Sequence, residues 1–320
     1  MKKNFLLTIF TLIFFFIFVE VFLRLSVKPR TIGINVGILN YKFVKQNYTF
    51  DKDNFRNNES IIEADYVFLG DSFTFGSGLK TDQGFVEKFK KKIMSIDPKK
   101  NFYNLGKNGT NTLDQYEILK NYKLKSNFTL IYQYYYNDID YLEKRIISPQ
   151  LKKDLNQKFY TKFLVNFFVL IANNFYTFDY FLTPLILKYY FSFDYKNFEV
   201  ELYKRHINDI KLIFDYVKEK NGKIIFLPLP ILGSVENIKF SSDNYINFLK
   251  KNFNKFCYSE DILVSIDNIL LTEDQKKLIV SPVDLHASDY ANTLIANLLY
   301  SFLKKENDKN IIKCNFKSKT

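Results

Sequence analysis

Tryptophan is missing from all 320 residues, and cysteine, histidine and methionine occur only twice each. The two cysteines, Cys257 and Cys314, stand far apart without close Cys or His neighbours. That spacing excludes a structural zinc site and a disulfide-stapled scaffold, while a single bridge between the pair stays open for an oxidising compartment. Ten glycines and seven prolines without a period exclude collagen-like and low-complexity chains. Acidic residues are the minority, 34 against 46 Lys and Arg, a balance of +12. Such a charge raises a nucleic-acid or anionic-membrane partner. The lysines are dispersed, however, and accompany abundant Asn, Ile, Phe and Tyr, the joint bias of an AT-rich genome, so no nucleic acid is expected. The exception is the end of the chain, where Lys304, Lys305, Lys309, Lys313, Lys317 and Lys319 read as a solvated, frayed tail.

Long hydrophobic runs are also absent, with one exception. Met1-Lys2-Lys3-Asn4 precedes Phe5 to Leu23, 19 residues interrupted only by Thr8, Thr11 and Glu20. As a helix that run measures ~28 Å, enough to span a bilayer. A cleaved signal peptide has a shorter apolar core and an A-x-A-like site, which the following Arg24-Leu-Ser-Val-Lys-Pro does not supply. The run therefore reads as an uncleaved anchor. Lys2 and Lys3 favour a cytoplasmic N-terminus, with the rest of the chain in the periplasm or at the cell surface.

What remains is ordinary folded protein, 47% hydrophobic and 25% charged, with length for one large or two small domains. The expected organisation is an anchor over 1–28, a polar Asn-rich connector over 29–60, one domain over 61–305 and a basic tail over 306–320. Short apolar runs predict buried strands at 65–70, 128–134, 223–228 and 262–266, and helical patterns lie at 84–95, 113–122, 200–220 and 288–304. Strands alternating with helices imply an α/β fold, a parallel sheet with helices on both faces. A helical insertion over about 150–200 breaks the alternation. Its aromatic-rich part, Phe163 to Phe193, is too interrupted to span a membrane. It reads as core-packed helices, with a cap over a site or a surface lying on the bilayer as alternatives.

Scarce glycine is concentrated: Gly70, Gly76, Gly78, Gly84, Gly106 and Gly109 put six of ten within forty residues. Glycine suits sharp turns and close approaches, so a site is expected there. Gly70-Asp71-Ser72-Phe73-Thr74 ends a predicted strand and starts a helix, which puts the Ser72 hydroxyl at the C-terminal sheet edge. The pattern is not the G-x-S-x-G elbow, since Thr74 holds the second glycine position. Ser281-Pro-Val-Asp284-Leu-His286 supplies an imidazole base and a carboxylate to orient it, the partners a serine nucleophile needs. The other histidine, His206, lies in a polar helix pattern without such a partner and reads as surface or structural. Asn104-Leu-Gly106-Lys-Asn-Gly109 and Tyr134-Tyr-Tyr-Asn137-Asp138 offer a glycine N–H and an asparagine amide, the donor types of an oxyanion hole.

In this order the four blocks resemble the SGNH hydrolase superfamily, also called the GDSL esterase/lipase family, over roughly 66–302. Asp53-Asn-Phe-Arg56 and Glu20-Val-Phe-Leu-Arg24 are similar to its membrane-anchored bacterial branch. The resemblance implies a flavodoxin-like three-layer α/β/α domain behind one transmembrane helix. It implies Ser72 as nucleophile, His286 as base and Asp284 as its partner, with Ser72, Gly109 and Asn137 forming the oxyanion hole. It implies hydrolysis of an ester-linked acyl or acetyl group on an envelope glycan or lipid, without cofactor or metal. An O-acyltransferase on envelope polysaccharide would use the same residues, and a non-catalytic glycan-binding or assembly protein would keep the fold. Three departures stand out: Tyr135 replaces the usual glycine two before Asn137, Asp284 precedes His286 by two positions instead of three, and Ala287-Ser288 replaces Pro-Asn.

Overall fold

The computed structural model describes residues 2–31, 36–61, 63–139, 159–190, 200–233, 245–282, 284–304 and 310–315. In chain order they form α1 (Lys2–Ser26), α2 (Ile38–Asn47), β1 (Tyr66–Leu69), α3 (Ser72–Phe75), α4 (Phe85–Met94), β2 (Phe102–Asn104), α5 (Thr112–Asn121) and β3 (Thr129–Tyr134). Then come α6 (Phe159–Asn174), α7 (Tyr176–Tyr190), α8 (Val200–Glu219), β4 (Lys223–Pro228), β5 (Ile262–Val264), β6 (Ile279–Ser281), β7 (Asp284–Ala287), α9 (Asp289–Leu303) and β8 (Ile311–Lys313). Two compact units result: residues 1–47 with 146–193, and residues 48–145 with 194–320.

The larger unit is built on a sheet of order β2-β1-β3-β4-β5-β8. Its first five strands are parallel, and β8 closes one edge antiparallel to β5. The order 2-1-3-4-5 is that of flavodoxin-like folds, with its reversal point at β1. β1, β3 and β4 are buried along nearly their whole length, because helices cover both faces of the sheet. The crossovers place α4 and α9 on one face, where they pack together, and α5 and α8 on the other, where they do the same. Aromatics fill the core in place of tryptophan: Phe214, Phe226, Phe253 and Phe256 meet edge to face or stacked.

Expected and observed elements agree to within two residues for β1, β3, β4 and β5 and for α4, α5, α8 and α9. β2 is not among the expected strands: Phe102-Tyr103-Asn104 ends on a polar residue and forms no continuous apolar run. The stretch expected to be a polar connector holds α2. The end of the chain also departs from expectation. Ile311–Lys313, in the stretch read as frayed tail, is a strand. The bridge between Cys257 and Cys314, left open by the sequence, is formed, with 5.9 Å between Cα atoms. The bridge and the Cys314 N–H, which donates to Asp261 O at 3.2 Å, tie β8 to the sheet.

The smaller unit contains α1, α2, α6 and α7. Within α1, the 23 residues Asn4–Ser26 are long and apolar enough to cross a membrane. The aromatic segment Phe163 to Phe193 supplies α6 and α7, and its residues 191–193 lie outside those described.

Candidate active site

Ser72 opens α3 immediately after β1. Gly70 adopts φ +156°, and a Cβ there would fall 2.4 Å from Thr74 Oγ1, so only glycine lets the chain leave the strand this way. Asp71 caps the helix, its Oδ1 accepting from the Phe73 N–H at 2.9 Å. As the first residue of the helix, Ser72 has an N–H that no helical carbonyl can take up. The turn is gripped from two sides. Asn104 donates through Nδ2 to Thr74 O at 3.1 Å, and a Cβ on Gly106 would lie 2.5 Å from Phe75 N, so β2 and its loop press directly on α3. Arg56 is buried and donates to the carbonyls of Phe75, Gly76 and Leu79 at 3.0, 2.5 and 2.7 Å, closing off the C-terminal end of the same turn.

His286 comes from the hairpin β6–β7. Asp284 and His286 are two apart on β7, and successive side chains of a strand alternate faces, so both point the same way. The two-residue spacing is thus the spacing a strand requires. His286 Nε2 lies 2.8 Å from Ser72 Oγ, and its Nδ1 lies 2.6 Å from Asp284 Oδ1. The His286 N–H also donates to Asp284 Oδ1 at 3.1 Å, which fixes the carboxylate against the backbone. Gly78, at φ +80°, is what lets this hairpin approach: a Cβ there would meet Asp284 Oδ2 at 3.0 Å and Val280 Cγ2 at 3.1 Å.

Burial of the His286 ring opposes its protonation, but the hydrogen bond and charge of Asp284, joined by the charge of Asp71, outweigh it and hold the ring above the ordinary histidine value. Asp71 is itself fully buried, and that burial raises its carboxyl above the usual range. Asp138, also fully buried, accepts from Tyr135 N at 2.7 Å and Gln115 Nε2 at 2.8 Å. Burial and then the charge of Asp71 push it well above the usual carboxylate range.

Gly109 and Asn137 sit on the turns after β2 and β3, the two strands that flank β1. Both are exposed, and Gly109 has φ +72° with open space where a Cβ would be. Parallel strands end on one edge, so the two turns lie on either side of the loop carrying Ser72, at the reversal point where such sheets bind ligands. Tyr135 is buried with its ring 4.3 Å from Phe73, whose ring lies 5.2 Å from His286.

His206 does have partners, contrary to the reading of its local pattern. It is buried between Thr112 Oγ1 at 3.1 Å and Asp209 Oδ2 at 3.2 Å, and its ring lies 5.8 Å from that of Tyr134. With Thr112 wholly buried, this hydroxyl–imidazole–carboxylate set ties α5 to α8 and has no room for a substrate. Among the described residues no group of His, Cys, Asp and Glu is arranged to hold a metal ion. Arg56, Asn104 and Gly78 are the supporting residues that local sequence reading leaves unassigned. The glycine cluster is the one signal that pointed at this region.

No family model matches the chain, and no curated protein does. Several solved structures are similar to it. A lipase, Lip_vut3, from a goat rumen metagenome is 14% identical with a TM-score of 0.45, over 75% of this chain and 97% of that one. A lipolytic protein of the G-D-S-L family from Desulfitobacterium hafniense is 13% identical with a TM-score of 0.41, over 75% and 98%. A family two carbohydrate esterase from Clostridium thermocellum, solved with cellohexaose, is 10% identical with a TM-score of 0.42, over 77% and 65%. The strand order, rather than these likenesses, defines the fold.

Proposed function

We propose that this protein is a membrane-anchored serine esterase that removes an acyl or acetyl group from a glycan or lipid of the cell envelope. One observation carries the reading: the continuous chain of hydrogen bonds from Ser72 Oγ through His286 to the buried Asp284, at the C-terminal edge of a parallel sheet. Ser72 Oγ attacks the acyl carbonyl carbon while its proton passes to His286 Nε2. Asp284 stabilises the imidazolium through Nδ1. The carbonyl oxygen, now an anion, is held by the N–H groups of Ser72 and Gly109 and the Asn137 amide. Collapse expels the alcohol, which takes the proton from His286, and water repeats the sequence on the acyl-enzyme. The residues need no metal or cofactor for these steps.

Placement outside the cytoplasm is supported by the Cys257–Cys314 bridge, since disulfides persist in oxidising compartments. Anchoring is supported by α1. The test is labelling of the full-length protein by a fluorophosphonate, followed by acyl-release assays on acetylated glycans, lipids and thioesters. Labelling that disappears in Ser72→Ala is the expected result. An unlabelled, folded wild type would overturn the reading.

A further inference from the structure

The helix α7 is inside out. Tyr176, Asp179 and Thr183, spaced along one face, are buried, with Asp179 and Thr183 each 3% exposed, whereas Phe181 and Leu185 on another face are 52% and 63% exposed. A surface helix of a water-soluble protein has the opposite order. The preceding α6 likewise turns Phe167 and Leu170 outward while burying Ala172. In α1 the inversion recurs: Glu20 is buried and Phe14, Phe18 and Phe22 are exposed.

The carboxylates turned inward are hydrogen-bonded within the unit. Glu20 Oε1 accepts from Tyr176 N at 3.0 Å and from Arg24 Nε at 2.7 Å, and its Oε2 accepts from Thr177 N and Thr177 Oγ1, both at 2.9 Å. The carboxylate therefore caps the first turn of α7, where its charge also meets the positive end of the helix dipole. Asn173 Oδ1 accepts from Gly37 N at 2.8 Å and Asp179 Oδ2 from Leu39 N at 2.7 Å, so α2 is tied to the same corner. Internal hydrogen bonding of these groups, with apolar side chains outside, fits a hydrocarbon surround, because lipid offers no hydrogen bonds.

Depth follows from the ring contacts. Phe16 of α1 meets Phe175 and Phe178 at 5.9 and 5.8 Å between ring centres. Phe16 lies seven residues before Leu23, the last residue of the apolar run. At the helical rise this is ~10 Å inside the end of the run, the depth at which interfacial helices reach the acyl chains.

We propose that the α6–α7 hairpin is immersed in the lipid leaflet surrounding the C-terminal half of α1, with acyl chains covering Phe167, Leu170, Phe181 and Leu185. Continuity identifies the occupant, since the hairpin packs on the very helix whose exposed side chains face lipid. The inference rests on α1 being retained in the bilayer and is independent of the chemistry at Ser72, so esterase assays and the following test fail separately.

Because the chain contains no tryptophan, a single introduced one reports without background. Leu170→Trp, Leu185→Trp and Phe181→Trp are made separately in the full-length protein and reconstituted into phosphatidylcholine vesicles with brominated acyl chains. Phe14→Trp on α1 is the lipid reference and Met94→Trp on α4 the aqueous one. The expected result is loss of about half or more of the emission at the three hairpin positions, as at Phe14→Trp, and protection from aqueous iodide. Bromolipid quenching no greater than at Met94→Trp would overturn the proposal. So would protection from both quenchers, which would mean that protein covers the face. Circular dichroism restricts the comparison to folded variants, and any one hairpin position suffices to decide it.

Discussion

His286 Nδ1 lies 2.6 Å from Asp284 Oδ1, and the same oxygen accepts the His286 backbone N–H at 3.1 Å, so one carboxylate oxygen fixes both the ring and the strand that carries it. The base works only when unprotonated. Because Asp284 raises the His286 value, kcat/KM should fall on the acid side with an apparent pKa above 6.5, the ordinary histidine value. Asp284→Asn removes the raising charge, so the acid limb should move to lower pH even as turnover drops ~10²- to 10⁴-fold through lost orientation. A pH–rate profile of the two proteins checks the sign. An unchanged limb would mean that Asp284 does not face the titrating base.

The hierarchy among the site residues follows from what each contributes. Ser72→Ala removes the atom that forms the acyl-enzyme and His286→Ala its base, and each should reduce turnover ~10⁴- to 10⁶-fold. Asn137→Ala removes one oxyanion donor and should cost ~10²- to 10³-fold. Turnover of the three variants on one ester, with folding checked by circular dichroism, measures the order. Near-wild-type rates in Ser72→Ala and His286→Ala would end the hydrolase reading.

Arg56 carries a charge into the interior and spends it on three carbonyls instead of a carboxylate, while its guanidinium lies 3.9 Å from the centre of the Tyr48 ring. Burial pulls its pKa below the ordinary arginine value, and the planar fork is what reaches several acceptors at once. Arg56→Ala should cost about 3 kcal/mol or more, since buried carbonyls are left without donors. Arg56→Lys should recover less than half of that loss, because a point charge cannot serve three acceptors. Denaturant titration of the three proteins checks this.

How far the molecule could be read in advance depends on the range of each interaction. Ser72 is legible because Gly70, Asp71 and the strand before it are neighbours in the chain, and His286 because Asp284 is two residues away. β1, β3, β4 and β5 are legible because burial in the sheet makes them continuous apolar runs. Arg56 is not, because its acceptors 19 to 23 residues on converge only once α3 has formed. Glu20 reads locally as a flaw in an apolar run, since the helix end it caps lies 156 residues away. The bridge between Cys257 and Cys314 stays undecided in the sequence because the lysine-rich composition around Cys314 reads as tail, although Ile311–Lys313 pairs with β5.

That bridge closes a loop with a sequence separation of 57 and anchors the edge strand β8. On the chain-entropy account a loop of this length is worth about 4 kcal/mol. Reduction, or Cys257→Ser with Cys314→Ser, should lower the unfolding midpoint accordingly while leaving turnover of the folded protein intact, because neither cysteine touches the site. A thermal melt with and without reductant is the check.

Gly78 provides the sharpest test of the hairpin's approach to the nucleophile turn. At φ +80° an alanine is strained by ~1–2 kcal/mol, and its Cβ would stand 3.0 Å from Asp284 Oδ2 and 3.1 Å from Val280 Cγ2. The neighbours must yield by a few tenths of an ångström, and the side that can yield is the β6–β7 hairpin, because Arg56 and Asn104 brace the turn on which Ser72 sits. Displacing the hairpin lengthens the His286–Ser72 contact, and small misplacements of this kind cost ~10- to 10²-fold in rate. Gly78→Ala should therefore lose kcat with KM nearly unchanged and should react more slowly with a fluorophosphonate. Gly109→Ala, also at positive φ but with open space around its Cβ, adds backbone strain at a proposed oxyanion donor without any contact with Asp284. Its N–H is retained, so it should label faster than Gly78→Ala. Equal labelling rates would mean that strain, and not the contact with Asp284, accounts for the loss.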